Sequence, residues 1–216
     1  MYAEQEDVYY YVTLMNENYG HPGMPAGSEA GILKGLYQLS DGGKTAKKGH
    51  RVQLMGSGTI LREVIFAAEL LKADFGIAAD VWSATSYNEL RRDGMAAERW
   101  NRLHPTEPAR KSHIEQCLEG HDGPVVAATD YMRNYADQVR EYVQAATRRY
   151  TVLGTDGFGR SDYRRKLRRF FEVDRWHVAV AALKALADDG VIKSTVGAEA
   201  ITKYGLDPER AAPWTV

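Results

Sequence analysis

The sequence predicts an α/β fold of three layers (α/β/α), in which helices cover both faces of a five-stranded, mostly parallel sheet. The first observation is that, from Arg51 onward, short apolar runs alternate with amphipathic stretches of helical length. The second is that the amphipathic stretches are long enough to be crossover helices, which join parallel strands. A further strand-like run at 36–40 precedes the series, and we expect it to form an antiparallel edge strand.

The first 27 residues are predicted to lie outside this domain. Val8–Met15 is β-branched and aromatic, which is typical of a strand, and 16–27 is rich in glycine and proline, which is typical of a linker. An unpaired strand of this composition would be an aggregation hazard. We therefore interpret 1–27 as the last strand of a preceding domain with its linker, and 28–216 as the α/β domain, whose first short helix Ser28 could cap.

The elements of the α/β domain follow in order. The runs at 36–40 and 50–56 flank a lysine-rich loop, a pattern that predicts an antiparallel hairpin pair. The other strands are predicted at 78–85, 123–130 and 150–156. Helices are predicted at 59–72, 87–103, 131–143, 162–171, 175–188 and 196–204.

Composition and charge exclude several function classes. The 216 residues carry a net charge of −1, so nothing global favours nucleic acid or an anionic membrane. No apolar run reaches the length of a membrane-spanning helix, and the amino terminus is acidic where an export signal would be basic. The single cysteine fits a reducing compartment. We expect a cytoplasmic protein with no nucleic-acid or membrane partner.

The first of two glycine turns, Gly56-Ser57-Gly58, follows a strand and opens a helix, as in dinucleotide-binding folds. The third glycine of that fingerprint would fall at Leu61, so the motif fails there. The alternative is a tight turn in which Ser57 or Thr59 caps the helix.

The second turn spans 154–159 and has the pattern G-x-x-G-x-G, with Ser161 expected at a helix N-cap. A helix N-terminus attracts anions, and Arg160 could add a bidentate contact. Asp156 and Asp162 would repel a phosphate, so we favour a turn in which these acids and Arg160 pair with each other or with a neighbouring domain. The candidates for an interface or an anion loop are Ser57, Thr59, Asp130, Asp156, Phe158, Arg160, Ser161 and Asp162.

His113, Cys117 and His121 are spaced by four, as zinc ligands on one helix face would be. Gly120 is expected to end the helix before His121, so we predict no metal site. The sequence has no G-x-S-x-G elbow and no acid pair whose context demands acid–base chemistry. We therefore assign no catalytic, cofactor-binding or metal residue.

Four stretches together carry a resemblance: TLMNENY, LMGSGTILREV, ATDYMRNYADQVR and VLGTDGFGRSD, with NELRRDGMAAERWNRLHP between them. In order along essentially the whole chain, they resemble the C-terminal part of the homodimeric, thiamine-dependent pyruvate dehydrogenase component of the bacterial pyruvate dehydrogenase complex. The resemblance implies a domain similar to the transketolase C-terminal domain, placed after two domains that this chain lacks.

The resemblance also implies what the parent enzyme does. It decarboxylates pyruvate with thiamine diphosphate and magnesium and passes the acetyl group to a lipoyl-lysine of dihydrolipoyl acetyltransferase. Family members bind the cofactor through Gly-Asp-Gly and Asn-Asn motifs, and this chain contains neither. We therefore expect a C-terminal assembly domain of a homodimer, inactive alone and without a cofactor of its own. The alternative is a regulatory module that binds an anion or a nucleotide at the glycine loops.

Overall fold

A computed structural model describes residues 2–12, 17–20, 23–44, 49–145 and 148–216. Its five strands are β1 (Leu36–Ser40), β2 (Arg51–Gly56), β3 (Ala78–Ala84), β4 (Val125–Ala128) and β5 (Tyr150–Leu153). They form one sheet in the order β1-β3-β2-β4-β5. β1 is antiparallel and the other pairings are parallel, which confirms the predicted mixed sheet and its antiparallel edge.

The helices cover both faces of this sheet, which confirms the three-layer architecture. They are α1 (Glu29–Lys34), α2 (Leu61–Phe75), α3 (Tyr87–Leu103), α4 (His113–Leu118), α5 (Arg133–Asp137), α6 (Arg140–Gln144), α7 (Arg164–Phe170), α8 (Arg175–Asp188) and α9 (Ser194–Lys203). One core cluster joins the sheet to α2, α7, α8 and α9. The other joins its opposite face to α3, α4, α5 and α6. In the described residues, no helix combines the length and the apolar character that crossing a membrane requires.

The predicted hairpin between β1 and β2 is wrong, because β1 pairs with β3. Leu36 lies opposite Ala84, and the backbone N–H of Gly42, just after β1, donates to Asp80 of β3 at 2.9 Å. β2 is buried from Val52 to Gly56, so it belongs in the middle of the sheet with a parallel neighbour on each side. The half-exposed β1 fits the edge.

Three local predictions also need correction. The helix predicted at 131–143 is two short helices, because Tyr131 and Met132 precede α5 and the chain breaks again at Val139. α7 begins at Arg164 with Tyr163 as its N-cap, so Ser161 is not at a helix terminus. Ser28 makes no capping bond, because its hydroxyl donates to the carbonyl of Pro25 at 2.6 Å.

The amino-terminal segment shows no strand in the residues that the structure describes, 8–12, and 13–15 lie outside them. Tyr9, Tyr10 and Tyr11 are 73–88% exposed. A strand is stable only beside another strand, and within the described ranges none pairs with this segment. The division of the chain at 27/28 stays a prediction.

Candidate interface at the carboxyl ends of the strands

The crevice between the carboxyl ends of β2 and β4 is the topological switch point of the sheet. From β2 the chain crosses to β3 on one side, whereas β4 is followed by β5 on the other. Parallel α/β sheets bind ligands and partners at such points, because the loops diverge there. The predicted site residues come from the loops that follow β2, β4 and β5.

Hydroxyl groups bridge the ends of β2 and β4. Ser57 Oγ donates to Thr129 Oγ1 at 2.9 Å, and Thr59 Oγ1 donates to Asp130 Oδ2 at 3.2 Å. The turn is tight, as that alternative predicted, because β2 ends at Gly56 and a 3₁₀ turn begins at Gly58. The predicted capping bond is wrong, since neither Ser57 nor Thr59 caps a helix through its side chain. The structure therefore brings the candidates Ser57, Thr59 and Asp130 together, where they link the ends of β2 and β4.

The glycine loop after β5 is held by its surroundings. Asp156 accepts a hydrogen bond from the backbone N–H of Arg133 at 3.0 Å, and the Thr155 hydroxyl donates to the carbonyl of Asp130 at 2.5 Å. Gly157 has φ 98°, and a Cβ there would lie 2.9 Å from Trp214 Cα. The loop therefore packs tightly against the carboxyl-terminal 3₁₀ turn at Pro213–Thr215.

The other loop candidates do not converge on one ligand. The Arg160 guanidinium lies 5.4 Å from the centroid of the Phe170 ring, and Asp162 pairs with Lys166 at 3.8 Å. Asp156 pairs with Arg133 at 3.9 Å. In the described part of the chain these three residues therefore do not pair with each other, and their pairing with a neighbouring domain stays a prediction. Ser161 is exposed beside them.

A cavity of about 290 Å³ opens beside this loop. Thr59, Asp130, Arg160 and Arg168 line it together with apolar side chains of α7 and the residues that follow it. The Arg168 guanidinium already pairs with Glu63 at 3.1 Å, and the Asp130 carboxylate would repel an anion. These contacts do not favour the alternative of an anion or nucleotide module.

Sequence reasoning missed a buried carboxylate next to the cavity. Glu63 is 5% exposed and accepts hydrogen bonds from Arg168 at 3.1 Å and from Arg175 Nε at 2.9 Å. The pairing ties α2 to α7 and to the start of α8. A signal was present, because Glu63 lies within the inward face that carries Ile60, Val64 and Ala67.

The crevice is rimmed by exposed apolar side chains, which we call the aromatic surface: Tyr131, Met132, Phe158 and Trp214. They are 60%, 49%, 84% and 55% exposed. Phe158 lies in the loop 154–159, and Tyr131 and Trp214 approach this loop at Gly154 and Gly157. Large exposed apolar patches mark contacts with other protein surfaces. The aromatic surface therefore suits a protein partner better than a small ligand.

The possible zinc triad is divided between two places. Cys117 Sγ lies 3.4 Å from His113 Nε2, whereas α4 ends at Leu118 and His121 contacts Asp80 at 3.4 Å. Burial raises the pKa of Cys117 to about 11, so its thiol is protonated at neutral pH. Among the residues that the structure describes, no three His, Cys, Asp or Glu side chains form a cluster that could hold a metal ion.

Comparison with known proteins adds the family. The chain is 61% identical over 213 residues to the pyruvate dehydrogenase E1 component of Pseudomonas aeruginosa, a match that covers 99% of this chain and 24% of that protein. The corresponding proteins of Cupriavidus necator and Escherichia coli K12 are 59% and 53% identical, over 100% and 99% of this chain and 24% and 23% of those proteins. The chain thus spans about a quarter of the length of these relatives.

A solved transketolase from Campylobacter jejuni aligns with 70% of this chain and 18% of its own, at 15% identity and a TM-score of 0.47, which is too low to bear on the site. The decisive match is to the family model of the transketolase-like TK C-terminal domain. It covers residues 35–174, which include the whole sheet and both glycine turns. This chain belongs to the transketolase-like C-terminal domain family.

Proposed function

We propose that this chain is the C-terminal assembly domain of a pyruvate dehydrogenase E1 component. The observation that carries the proposal is the 61% identity over 99% of the chain to a protein of which the chain spans only 24%. Identity at this level along the whole chain supports a shared role, and the short span supports a part of a larger enzyme. The boundary at 27/28 belongs to the same proposal.

The parent reaction is the decarboxylation of pyruvate and the transfer of the acetyl group to lipoyl-lysine on dihydrolipoyl acetyltransferase. Thiamine diphosphate, when bound, supplies the electron sink for such chemistry. The residues of this chain do not fit that cofactor, because it has neither a Gly-Asp-Gly nor an Asn-Asn motif. We assign the cofactor and magnesium to the upstream domains, in a cytoplasmic homodimer, and expect the 216-residue chain to be inactive alone.

The role of the domain is to present the carboxyl ends of its strands to those upstream domains or to the partner subunit. The aromatic surface supports this role, since its apolar side chains gain most from burial against protein. Phe158 belongs to this surface and Arg160 lies two residues after it, so both are interface candidates. Ser57, Thr59 and Asp130 keep the ends of β2 and β4 together beneath the surface.

A chimaera tests the proposal. The 216 residues replace the matching part of the Pseudomonas aeruginosa relative, and the product is assayed for pyruvate decarboxylation and for mass by light scattering. We expect an active dimer, and no activity from the relative lacking this part. A chimaera that shows a single cooperative melting transition but neither dimerises nor turns over pyruvate would refute the proposal, as would turnover by the 216-residue chain alone.

A substitution sharpens the same test. Arg160→Ala in the chimaera should weaken the dimer or lower its activity, since Arg160 is placed at the interface loop. The matched control is Arg165→Ala, which removes an equally charged and exposed side chain from α7. If both variants dimerise and turn over pyruvate equally well, Arg160 does not contribute to the interface.

A further inference from the structure

A second surface of the domain is built from arginines, and we call it the α2–α7 face: Arg62 on α2 with Arg164 and Arg168 on α7. Arg164 and Arg168 are four residues apart, so both project from one side of α7 about 6 Å apart along its axis. Arg62 lies in the first turn of α2. None of these arginines belongs to the aromatic surface.

The segment 17–20 lies on this face with matching spacing. Glu17 and Tyr19 are two residues apart, which in an extended segment puts both side chains on one side about 7 Å apart. Arg164 pairs with Glu17 at 2.6 Å, and Arg168 donates to the Tyr19 hydroxyl at 3.1 Å. That hydroxyl donates in turn to Glu17 at 2.9 Å, so three contacts link the side chains of Arg164, Glu17, Tyr19 and Arg168 in one series.

Arg62 holds the same segment from the side of α2. Its guanidinium lies 4.9 Å from the centroid of the Tyr19 ring and donates to the carbonyl of Gly20 at 3.3 Å. A cation above an aromatic ring is stabilising in this geometry. Tyr19 is therefore contacted through both its ring and its hydroxyl, and it is half-buried while Tyr9, Tyr10 and Tyr11 are exposed.

Buried Glu63 positions an arginine of the α2–α7 face and leaves positive charge there for an acidic segment. It fixes Arg168, whose side chain is only 16% exposed, and it is also paired with Arg175. Two guanidinium groups against one carboxylate leave a surplus positive charge in a partly desolvated place. An acid that approaches from solvent offsets this charge, and Glu17 lies close to it, because the Tyr19 hydroxyl that accepts from Arg168 donates to Glu17.

We propose that the α2–α7 face is a docking site for an acidic-aromatic Glu-x-Tyr segment, and that residues 17–20 occupy it as a latch. The latch fixes one point, Tyr19, of the connection from the upstream domains to this domain. Only that consequence rests on the proposed function. The docking itself is a property of the 216-residue chain and is testable without the parent enzyme.

Chymotrypsin followed by mass spectrometry tests the latch, because the enzyme cleaves after tyrosine and phenylalanine. We expect cleavage after Tyr9, Tyr10 and Tyr11 to be at least about tenfold faster than after Tyr19, the factor that one charge-assisted hydrogen bond supplies. Tyr19→Phe keeps the cleavage site and the ring but removes the hydroxyl relay, and it should raise cleavage after residue 19 about tenfold. Salt at about 1 M should act in the same direction, because it screens exposed charges.

The matched control is Tyr10→Phe, which changes an exposed tyrosine and should leave every cleavage rate unchanged. Tyr10→Phe should leave the melting temperature unchanged, because its side chain is exposed, whereas Tyr19→Phe should lower it by no more than about 5 °C, because the hydroxyl contacts exist only in the folded chain. The proposal is overturned if Tyr19 is cleaved as fast as Tyr9–Tyr11 in the unmodified chain, or if Tyr19→Phe leaves its cleavage rate unchanged. An inactive chimaera with a protected Tyr19 would refute the proposed function alone.

Discussion

The two ends of the sheet are built in opposite ways. At the amino ends of the strands, buried Asp80 accepts hydrogen bonds from the Gln53 amide at 2.7 Å and from the backbone N–H of Gly42, and it also pairs with Arg51. The side-chain amide oxygen of Gln53 accepts from the Trp82 indole N–H at 2.8 Å. At the carboxyl ends, the hydrogen bonds of Thr59 and Thr155 are exposed, and aromatic side chains face solvent.

This difference separates stability from interaction. A buried carboxylate is tolerated only when it is paired and hydrogen-bonded, so the amino-end network is closed and sensitive to any change. The carboxyl end leaves apolar area uncovered, which adds nothing to folding but is available to a partner. Substitutions at the amino end should therefore change the free energy of unfolding, and those at the carboxyl end should change assembly.

The largest effect is expected from Gly123→Ala at the amino end. Gly123 has φ 91°, and a Cβ there would lie 2.0 Å from the carbonyl oxygen of Arg51 in β2. Backbone strain and overlap together should lower the free energy of unfolding by about 3 kcal/mol, measured by urea denaturation.

The matched control for this change is Gly120→Ala. Gly120 also has a positive φ, 78°, but a Cβ at this position would meet no described atom within 4 Å. It should lose only about 1 kcal/mol, the cost of the left-handed backbone. Equal losses in the two variants would show that close packing against β2 is not what Gly123 provides.

Asp80→Ala should have the next largest effect. It leaves the Gln53 amide, the Gly42 N–H and the Arg51 guanidinium without their carboxylate, which should cost about 3 kcal/mol of unfolding free energy. Asp122→Ala is the control, since its exposed side chain is removed while its backbone carbonyl still accepts from Gln53. A loss below about 1 kcal/mol for Asp80→Ala would mean that water replaces the carboxylate.

The sequence located the elements whose signal is local. The strand at 78–84 is buried at every position and is apolar except for Asp80 and Ser83. The helices α3 and α8 have the bounds that their periodicity predicts, Tyr87–Leu103 and Arg175–Asp188. In α3, Ser86 caps the first turn by accepting from Glu89 N–H at 3.2 Å. The apolar periodicity of a helix and its capping residue can both be identified within one segment of sequence.

What the sequence did not reveal depends on distant contacts. β1 and β2 are adjacent along the chain, yet β3 lies between them because β2 needs two parallel neighbours. The partners of Glu63 lie more than 100 residues away, at Arg168 and Arg175. A glycine loop was predicted after β5, but the close approach of Gly157 to Trp214 was not, because the two residues are far apart along the chain.

At the carboxyl end, Thr59→Ala should have a small effect on stability. The change removes one partly exposed hydrogen bond to Asp130, which should cost about 1 kcal/mol or less of unfolding free energy. Thr59→Ser keeps the hydroxyl and should restore the loss. A loss of about 3 kcal/mol for Thr59→Ala would mean that this end of the sheet is as closed as the other, which would remove the contrast.

The pH dependence of stability tests the contribution of Asp41 at the amino end of the sheet. The pKa of Asp41 is lowered, chiefly by the hydrogen bond from the backbone N–H of Gly43 and further by Arg51. Because the folded-state pKa is depressed, its stabilisation is present above the unfolded pKa of about 4 and is lost as the pH falls through the folded value. The difference in urea midpoint between the unmodified chain and Asp41→Asn should therefore be small at pH 7 and vanish at acidic pH. A difference that grows on acidification would contradict this.

The smallest effect on stability, and the most informative contrast, is expected from Phe158→Ser. Phe158 is 84% exposed, so its removal should change the free energy of unfolding by less than about 0.5 kcal/mol.

In the chimaera the same substitution should shift the dimer or the domain assembly toward dissociation, measured by light scattering over a dilution series, because a buried aromatic anchor contributes strongly to an interface. Leu33→Ser, at an 80% exposed position on α1, is the control for a generic loss of apolar surface. If both variants assemble like the unmodified chimaera, the aromatic surface is not the interface; if only Phe158→Ser dissociates, the open end of the sheet is where this domain meets its enzyme.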